Sequence, residues 1–350
     1  MVRKSTGVNI KQLAQSLGLS ISTVSRALNG YPDVNQQTRE RVQEMANSMG
    51  YAPDARAQRL VRGRADAVGM VYSATLGYMG NPQFLATADG IAQRLQMYGQ
   101  DFLLAVARTE TELNVYRRLL HGGRVDGVIV ANTRQHDERI DWLLASGYPF
   151  VAYGRTTESH GYAWLDLDNV QAGRLAAEHL AKLGHKHFAY VHVDMGMNFA
   201  FQRREGFLQV LRAAGLNCPP QNQVDYANDV QSGMQAAQQL LQLTPLPTAV
   251  VVDTNLGVQG VIEGLQAAGV QVGRDVSVLV HGIQPQLQLS DGRTVTTVAQ
   301  PPGEEIGRLL ADIVWTVLRG AGKNDPHYTH PQVLCQPVLL PGDTTGPVAA

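Results

Sequence analysis

The sequence predicts an α/β protein with a small all-α head and a two-lobed body built on doubly wound parallel sheets. Near the start, two short amphipathic helix patterns meet at a glycine. From residue 67 onward, apolar runs of strand length alternate with helix patterns, which is typical of parallel strands covered by helices. A chain of 350 residues is too long for one ordinary core, so we expect two or three domains.

The first two helices have the layout of a helix-turn-helix. Apolar residues recur at helical spacing over 10–17 and again over 24–28, with Gly18 between the two runs. Ser20 is a natural N-cap for the second helix. The other face of that helix carries side chains that its packing does not require, namely Ser22, Ser25, Arg26 and Asn29. Because the second helix of this motif lies in the DNA major groove, the polar strip predicts a DNA reader.

Charge is divided unevenly along the chain. Residues 1–64 contain ten Lys and Arg against four Asp and Glu, a net charge of +6, whereas the other 286 residues carry −7. A basic head on an acidic body is expected where only the head contacts phosphate. The charge distribution therefore favours a DNA reader over the alternative, an ordinary helical hairpin in a core.

A third helix and a short linker complete the predicted head. Asn35 can cap this helix and Gly50 is in position to end it. Residues 54–61 then have a helical composition but span only about two turns, too few for a stable isolated helix, so we expect them to fold only when held. The predicted divisions are a head at 1–52, a hinge helix and linker at 53–65, a body at 66–343 and a tail at 344–350.

The body alternates predicted strands with predicted helices. The strands are 68–73, 102–107, 127–131, 150–153, 188–192, 249–252 and 276–280, and the helices are 84–95, 169–183, 202–213, 230–241 and 257–268. The pattern is long enough for two lobes. Ligands of such folds bind at the carboxyl ends of the strands, so a cleft between the lobes is the expected small-molecule site.

Composition indicates a globular protein of the cytoplasm. The chain is 44% hydrophobic and 17% charged, and its two cysteines, Cys218 and Cys335, are too few for a disulfide framework. Its first residues do not resemble a signal peptide, and no run approaches the roughly 18 apolar residues of a membrane span. We expect no membrane partner and no cofactor.

The helix-turn-helix residues and several body motifs resemble those of the LacI/GalR family of bacterial transcription regulators, and the resemblance covers nearly the whole chain. Residues 22–29 (STVSRALN) are similar to the recognition helix of the family, 38–42 (TRERV) to its third helix and 50–53 (GYAP) to its exit. Body motifs with the same resemblance are 126–129, 168–169, 179–180 with 184–185, Arg203 with 206–207, and 297–300. The resemblance implies a body like that of periplasmic sugar-binding proteins.

Arg26 is the first candidate for reading bases. Its planar fork can donate two bonds to guanine O6 and N7, and the alternative is a phosphate contact. The resemblance places Ile21 and Ser22 where the family reads bases. Ile21 could touch a thymine methyl group or could pack inward. Ser20, Thr23 and Asn29 are expected to hold phosphates and fix the register.

The resemblance also implies a DNA-bending hinge. Residues 57–60 are similar to the hinge helix of the family, so Ala57 and Leu60 are expected to contact DNA. Two Leu60 side chains, one from each subunit of a dimer, would enter the minor groove as wedges and kink a flexible pyrimidine-purine step. A leucine packed within its own short helix is the alternative.

The candidate effector residues follow strand ends. Arg155 comes after the strand at 150–153 and Arg203 begins a helix, and both match family positions that bond ligand hydroxyls, with surface ion pairs as the alternative. Further candidates after the first strand are Ser73, Tyr78 and Phe84, whose aromatic rings could stack on a sugar, although Phe84 could equally be core. Asn255 and Gln300 are additional polar candidates.

Three positions depart from the family. Where acidic residues commonly grip sugar hydroxyls, this chain has Gly154, Thr254 with Asn255, and Gly282 with Ile283. The loss leaves the identity of the ligand open between a carbohydrate such as a glucoside and another metabolite, and it leaves the DNA-binding prediction untouched.

Catalytic and metal chemistry find little support. The chain has no GxxxxGK[ST], GxSxG or GxGxxG motif at the required place. His185, His187 and His192 could suggest a metal, but histidines with backbone partners are favoured because supporting acidic or cysteine ligands are lacking. Asp166 and Asp168 are expected to be structural.

The sequence thus predicts a homodimeric repressor that binds a pseudo-palindromic operator in double-stranded DNA and is switched by a small molecule, a sugar first. Two heads related by symmetry gain affinity through linkage. The tail lacks heptads, so no coiled-coil tetramer is expected. A sugar-binding receptor without DNA binding explains the body but not residues 1–64, and a sugar-processing enzyme lacks a catalytic constellation.

Overall fold

The computed structural model describes residues 8–51, 63–73, 82–320 and 329–348. It divides the chain into two compact units, Met1–Ala65 and Asp66–Ala350. Ala57, Leu60 and Tyr78, which the sequence predicts to contact ligands, lie outside the described residues, as does the side chain of Ser73. Within the described part of the chain, no helix combines the length and the apolar character needed to cross a membrane.

Three helices form the first unit. They are α1 (Ile10–Leu17), α2 (Ile21–Leu28) and α3 (Gln36–Ser48). Ser20 caps α2 by accepting the Thr23 amide at 3.0 Å, and Asn35 caps α3 by accepting the Thr38 amide at 2.7 Å, as predicted. The apolar faces meet in one core formed by Leu13, Ala14, Leu17, Val24, Ala27, Val34, Val42 and Ala46.

Twelve strands in two sheets form the frame of the second unit, within its described residues. They are β1 (Ala67–Ser73), β2 (Asp101–Ala107), β3 (Gly127–Ala131), β4 (Phe150–Tyr153), β5 (Ala163–Leu167), β6 (Phe188–His192), β7 (Gln223–Asp225), β8 (Ala249–Val252), β9 (Ser277–Ile283), β10 (Thr296–Gln300), β11 (Gln332–Cys335) and β12 (Val338–Leu340). We call the sheet with order β11-β5-β4-β3-β1-β2 lobe 1 and the sheet with order β12-β10-β9-β8-β6-β7 lobe 2. All pairings are parallel except that of β10 with β12.

Eight helices cover these sheets in the described residues. They are α4 (Pro82–Met97), α5 (Glu112–His121), α6 (Glu138–Ser146), α7 (Asn169–Lys182), α8 (Asn198–Ala213), α9 (Val230–Leu241), α10 (Asn255–Ala267) and α11 (Gly303–Leu318), with short 3-10 turns at Thr109–Thr111 and Pro220–Asn222. The pairs α4 with α11, α7 with α8 and α9 with α10 pack along their lengths. The doubly wound α/β body predicted from the sequence is confirmed.

The chain passes between the lobes three times. It leaves lobe 1 after β5 and returns after β10, so α11 packs on lobe 1, and it crosses again between β11 and β12. The sequence patterns did not predict β5, β7, β10, β11 and β12, nor α5, α6 and α11. Polar residues interrupt the missed strands, as in the TTVAQ of β10, so their apolar runs are too short to stand out.

Candidate functional site

The outer face of α2 is exposed while its inner face is buried. Val24 and Ala27 lie in the core of the first unit, whereas Ser20, Ser22 and Arg26 are exposed. Ile21 is 48% exposed, so the alternative that it packs inward is wrong for this unit. The face therefore presents hydrogen-bonding groups and one apolar side chain together, which is the mixture that reads base edges.

Arg26 is held by two neighbours on the same surface. Its guanidinium pairs with Asp33, with Nη2 2.5 Å from Oδ2, and lies over the Tyr31 ring at 5.2 Å from the centroid. Both charged side chains are about half exposed. An exposed pair of this kind adds little stability, but it restricts the rotamers of the arginine.

The other polar residues of α2 mostly serve the helix itself. The Ser20 hydroxyl lies 2.8 Å from that of Thr23, and Asn29 Nδ2 donates to the Ser25 carbonyl at 2.8 Å. These contacts keep the polar groups at the surface of α2, where phosphate contacts were predicted for Ser20, Thr23 and Asn29.

A cavity of about 180 Å³ lies between the two lobes at the carboxyl ends of the strands. One water molecule needs only roughly 10 to 15 Å³ by the same measure, so a small organic ligand fits. The lining comprises Met70, Gln83, Phe84, Thr87, Ala131, Asn132, Thr133, Tyr153, Gly154, Arg155, Asp166, Leu167, Asn169, Phe199, Arg203, Asp253, Thr254, Asn255, His281, Gly282, Ile283 and Gln300. Five of the seven effector residues predicted from sequence are thus brought together here: Phe84, Arg155, Arg203, Asn255 and Gln300.

Both aromatic rings and arginines line the cavity. Phe84 packs on Tyr72, with ring centroids 4.7 Å apart, and it is only partly buried, so it is both core and lining. Arg155 Nε donates to Asp166 at 2.7 Å, and its guanidinium lies over the Trp164 ring. The predicted alternative of an ion pair is therefore correct for Arg155, although the pair faces the cavity rather than the outer surface.

Arg203 is buried, so the alternative of a surface ion pair is wrong for it. Its Nε donates to Asn169 Oδ1 at 2.9 Å and its Nη1 to the Asp253 carbonyl at 3.2 Å. These two bonds direct the guanidinium into the cavity. They also connect α8 with the start of α7 and the end of β8.

Two carboxylates missed as ligand-site residues lie in the wall. Asp253 accepts from the Tyr190 hydroxyl at 2.9 Å and from the Val193 amide at 3.2 Å. Asp166 accepts from Arg155 and from the Leu167 amide. Burial raises the pKa of both carboxyls, and the nearby arginines oppose that shift. Asp168, by contrast, caps α7 by accepting the Gln171 amide.

The glycines that replace acidic residues have structural reasons. Gly154 has φ of +108°, and a Cβ there would collide with Thr133 Oγ1. A Cβ on Gly282 would lie 2.5 Å from Asn255 Oδ1. The backbone therefore approaches side chains of the cavity at both positions, and the carboxylates of this site come instead from Asp166 and Asp253.

His281 is the most unusual group in the wall. It lies in β9 with only 4% of its surface exposed, and neither ring nitrogen has a hydrogen-bond partner among the described residues. Burial, with a smaller contribution from the positive charge of Arg203, lowers its pKa well below the ordinary value. No sequence motif pointed to this residue, because a lone histidine in an apolar strand is usually core.

Two of the histidines that could suggest a metal, His185 and His192, have protein partners. His185 lies within 3.0 Å of the hydroxyls of Thr248 and Ser277, and His192 Nδ1 lies 3.0 Å from the Val193 carbonyl. Among the described residues, no group of three or more His, Cys, Asp or Glu side chains is arranged to hold a metal ion.

Direct bonds also join the two lobes beside the cavity. The backbone N–H of Gln135 donates to the Gly196 carbonyl at 3.2 Å, and the backbone N–H of Asn198 donates to the Thr133 carbonyl at 3.0 Å. Asn198 Nδ2 reaches the Arg155 carbonyl at 2.7 Å. The cleft is thus closed on one side by the protein itself.

Comparison with known proteins places both units. Residues 9–54 match the model of bacterial regulatory proteins of the lacI family, and residues 65–343 match that of periplasmic binding proteins and the sugar binding domain of the LacI family. The chain is 32% identical to the HTH-type transcriptional regulator RafR of Escherichia coli, covering 96% of this chain and 98% of RafR. It is 36% identical to the regulator AglR of Rhizobium meliloti (strain 1021), covering 78% and 77%.

A solved relative has the same fold. The structure of the transcriptional regulator CelR in complex with cellobiose superposes with a TM-score of 0.70 at 26% identity, covering 96% of this chain and 99% of that one.

Proposed function

This chain belongs to the LacI family of bacterial regulatory proteins, and we propose that it is a repressor switched by a sugar bound between the lobes. Helix-turn-helix regulators of this family bind DNA. The observation that carries the proposal is the exposed face of α2 in a chain whose second unit has a cavity lined by arginines and aromatic rings. The repressor acts on operator DNA in the cytoplasm, and the cavity binds its ligand without transforming it.

Each head supplies one half of the DNA contact. Arg26, Ile21 and Ser22 read base edges, and phosphate contacts come from Ser20, Thr23, Ser25 and Asn29. Ala57 and Leu60 bend the duplex between the half-sites. Positive charge concentrated in residues 1–64 supports this arrangement, because phosphate neutralisation supplies much of the affinity.

The protein acts as a homodimer on a pseudo-palindromic operator. One head covers too few base pairs for a specific site, whereas two linked heads combine their affinities. Exposed apolar side chains on the edge strand β2 and the adjacent α4 support a subunit contact on lobe 1. Val106 is 57% exposed and Met97 73% exposed, and Leu85 and Leu104 are exposed on the same two elements. Exposed apolar side chains that gather on one surface mark an interaction site.

A sugar is the effector that the cavity fits best. Sugars are bound by planar polar groups together with apolar ring faces, and Arg155, Arg203 and Asn255 share the wall with Phe84 and Phe199. The related regulator CelR was solved with cellobiose. Ligand binding changes the closure of the lobes and thereby the hinge segments, and a 100-fold change in operator affinity requires about 2.7 kcal/mol of coupling.

Selection from a library of random double-stranded DNA tests the proposal. The full chain should enrich a palindromic site in a salt-sensitive manner, and the Arg26→Ala variant should lose discrimination at one base pair of each half-site, worth about 1 to 3 kcal/mol. Arg212→Ala, which removes an exposed charge of the body, is the matched control and should select the wild-type site. Failure of the wild-type chain to enrich any sequence refutes the proposal.

A further inference from the structure

His281 presents an unsatisfied polar group in the buried part of the body. Both ring nitrogens are buried and lack partners among the described residues, although His281 is one of the residues that line the cavity. Buried polar groups in folded proteins are nearly always hydrogen-bonded, because leaving one unpaired is costly. An unpaired histidine at a cavity wall therefore requires an explanation.

The surrounding groups cannot supply the missing partners, since they are already engaged. Tyr190, whose ring centroid lies 6.3 Å from that of His281, donates to Asp253. Both oxygens of Asp253 accept protein donors. Arg203, the nearby cation, uses two nitrogens on Asn169 and on the Asp253 carbonyl. None of these described neighbours in lobe 2 therefore forms a hydrogen bond with the His281 ring.

Asn255, another residue that lines the cavity, also has an unpaired polar atom. Its Oδ1 is buried and without a partner among the described residues. That atom packs against Gly282, the residue after His281, where a Cβ would approach it to 2.5 Å. His281 and Gly282 are consecutive in β9, so their side-chain positions lie on opposite faces of the sheet. The His281 ring and Asn255 Oδ1 are therefore two separate unpaired groups of the same cavity lining.

Each arginine of the cavity has an acidic residue near it. Arg155 is paired with Asp166 at 2.7 Å, and the positive charge of Arg203 opposes the rise that burial causes in the pKa of the Asp253 carboxyl. A buried imidazole surrounded in this way is neutral, and it then offers one N–H donor and one acceptor nitrogen. Two hydroxyl groups, one accepting and one donating, satisfy both nitrogens of such a ring, whereas an ionised carboxylate or phosphate group can only accept from it.

We propose that His281, together with Asn255, is the specificity-determining residue of the cavity and selects an uncharged polyhydroxy ligand over its acidic or phosphorylated counterparts. This inference rests on the proposed function, whose effector site it defines further. One ligand hydroxyl accepts from the protonated nitrogen of His281, and other ligand hydroxyls donate to its second nitrogen and to Asn255 Oδ1. Ligand binding thereby satisfies polar atoms that the protein leaves unpaired.

Two opposite effects of one substitution provide the test. His281→Phe keeps an aromatic ring of similar size but removes both polar atoms. Without ligand, the variant should melt about 2 °C or more above the wild-type protein, because an unsatisfied buried group is gone. Its affinity for the ligand should fall about tenfold or more. His281→Gln, which retains a donor and an acceptor, should restore part of the affinity.

His185→Phe is the matched control. His185 is a buried histidine of the same lobe, but it is bonded to Thr248 and Ser277. This substitution should lower the melting temperature, because it leaves the partners of a buried hydrogen bond unsatisfied. Ligand affinity should stay within about twofold of the wild-type value, since the lost bonds lie away from the cavity and weaken folding alone.

Calorimetric titration of the full chain uses defined probes: methyl α-glucoside, methyl α-galactoside, maltose, cellobiose and sucrose, with glucuronate and glucose 6-phosphate as charged counterparts. At least one neutral sugar should bind, about tenfold or more tighter than either charged probe. Equal affinity of wild type and His281→Phe, a lowered melting temperature for His281→Phe, or preference for a charged probe overturns the inference alone. If no probe binds, the sugar-switch part of the proposed function falls with it, while DNA selection reports separately on the regulator.

Discussion

The exposed face of α2 in the head and the cavity of the body hold their polar side chains in opposite ways. In the head, Ser20 and Arg26 are exposed and are held by neighbours no more than seven residues away. In the body, Arg203 and His281 are buried, and the contacts that position the Arg203 side chain span 34 and 50 residues. A local surface site tolerates change in its polar residues, whereas a buried site ties its polar residues to the stability of the fold.

The largest expected difference between the regions concerns buried charge. Arg139 pairs with Asp137 and Glu112 in lobe 1, and all three side chains are almost fully buried. Arg139→Met should destabilise the body by about 3 to 5 kcal/mol in urea unfolding, because it leaves carboxylates unpaired. Arg26→Ala in the head should change stability by less than about 0.5 kcal/mol. Equal effects of the two substitutions would break the comparison.

Removal of a core side chain separates the two units next. Leu13 is fully buried in the head, so Leu13→Ala should cost the head about 2 to 5 kcal/mol. DNA retention should be lost while the near-ultraviolet circular dichroism of the body, which holds all three tryptophans, stays unchanged. A changed tryptophan signal would contradict the independence of the two units.

Acid should weaken the body but not the head, which contains no histidine among residues 1–64. Burial lowers the pKa of His281, His185 and His179, so the unfolded chain binds more protons than the folded one as pH falls through about 6.5. Body stability should therefore fall between about pH 7.5 and 5.5, by at most about 1.4 kcal/mol per pH unit for each histidine.

The contribution of His281 can be isolated by comparing wild type with His281→Phe over that pH range. Tyr190 and Arg203 lie near His281 in both proteins. The raised pKa of the Asp253 and Asp166 carboxyls changes stability in the opposite sense as pH falls, and it does so equally in both proteins. The variant should show the flatter pH profile in chemical unfolding. Parallel profiles would show that His281 does not gain a proton on unfolding.

The smallest expected effect is that of the α2 cap. Ser20→Ala removes the acceptor of the Thr23 amide and should destabilise the head by about 1 kcal/mol. Ser22→Ala, on an exposed residue of the same helix, is the control for stability and should be nearly neutral. Thermal melting of the head measures both, and an effect at Ser22 as large as at Ser20 would contradict the capping role.

The same contrast explains what sequence reasoning could reach. Caps and periodicity act within a few residues, so the caps Ser20 and Asn35 and the bounds of β3, β4, β6 and β8 were predicted correctly. The edge strands β7, β11 and β12 are three or four residues long and are defined by partners far along the chain. The periodicity of a short stretch of sequence cannot predict pairing between strands that lie so far apart in the chain.

For the same reason, the sequence predicted only some of the residues that line the cavity. Arg155, Arg203, Asn255 and Gln300 could be found because they follow strand ends or match family positions. His281 lies within a strand rather than after it, and Asp253 looked like an ordinary end of an apolar run. Their importance depends on which neighbours lack or supply hydrogen bonds, and that information exists only in three dimensions.

The threefold passage of the chain between the lobes has a consequence for synthesis on the ribosome. The head is complete once its first sixty-odd residues have emerged, but the β11 and β12 edges of both sheets come from residues 332–340. At about 5 to 20 residues per second, translation of the intervening segment takes roughly 15 to 55 s. A nascent chain therefore carries a finished head long before the edge strands of either lobe have been made.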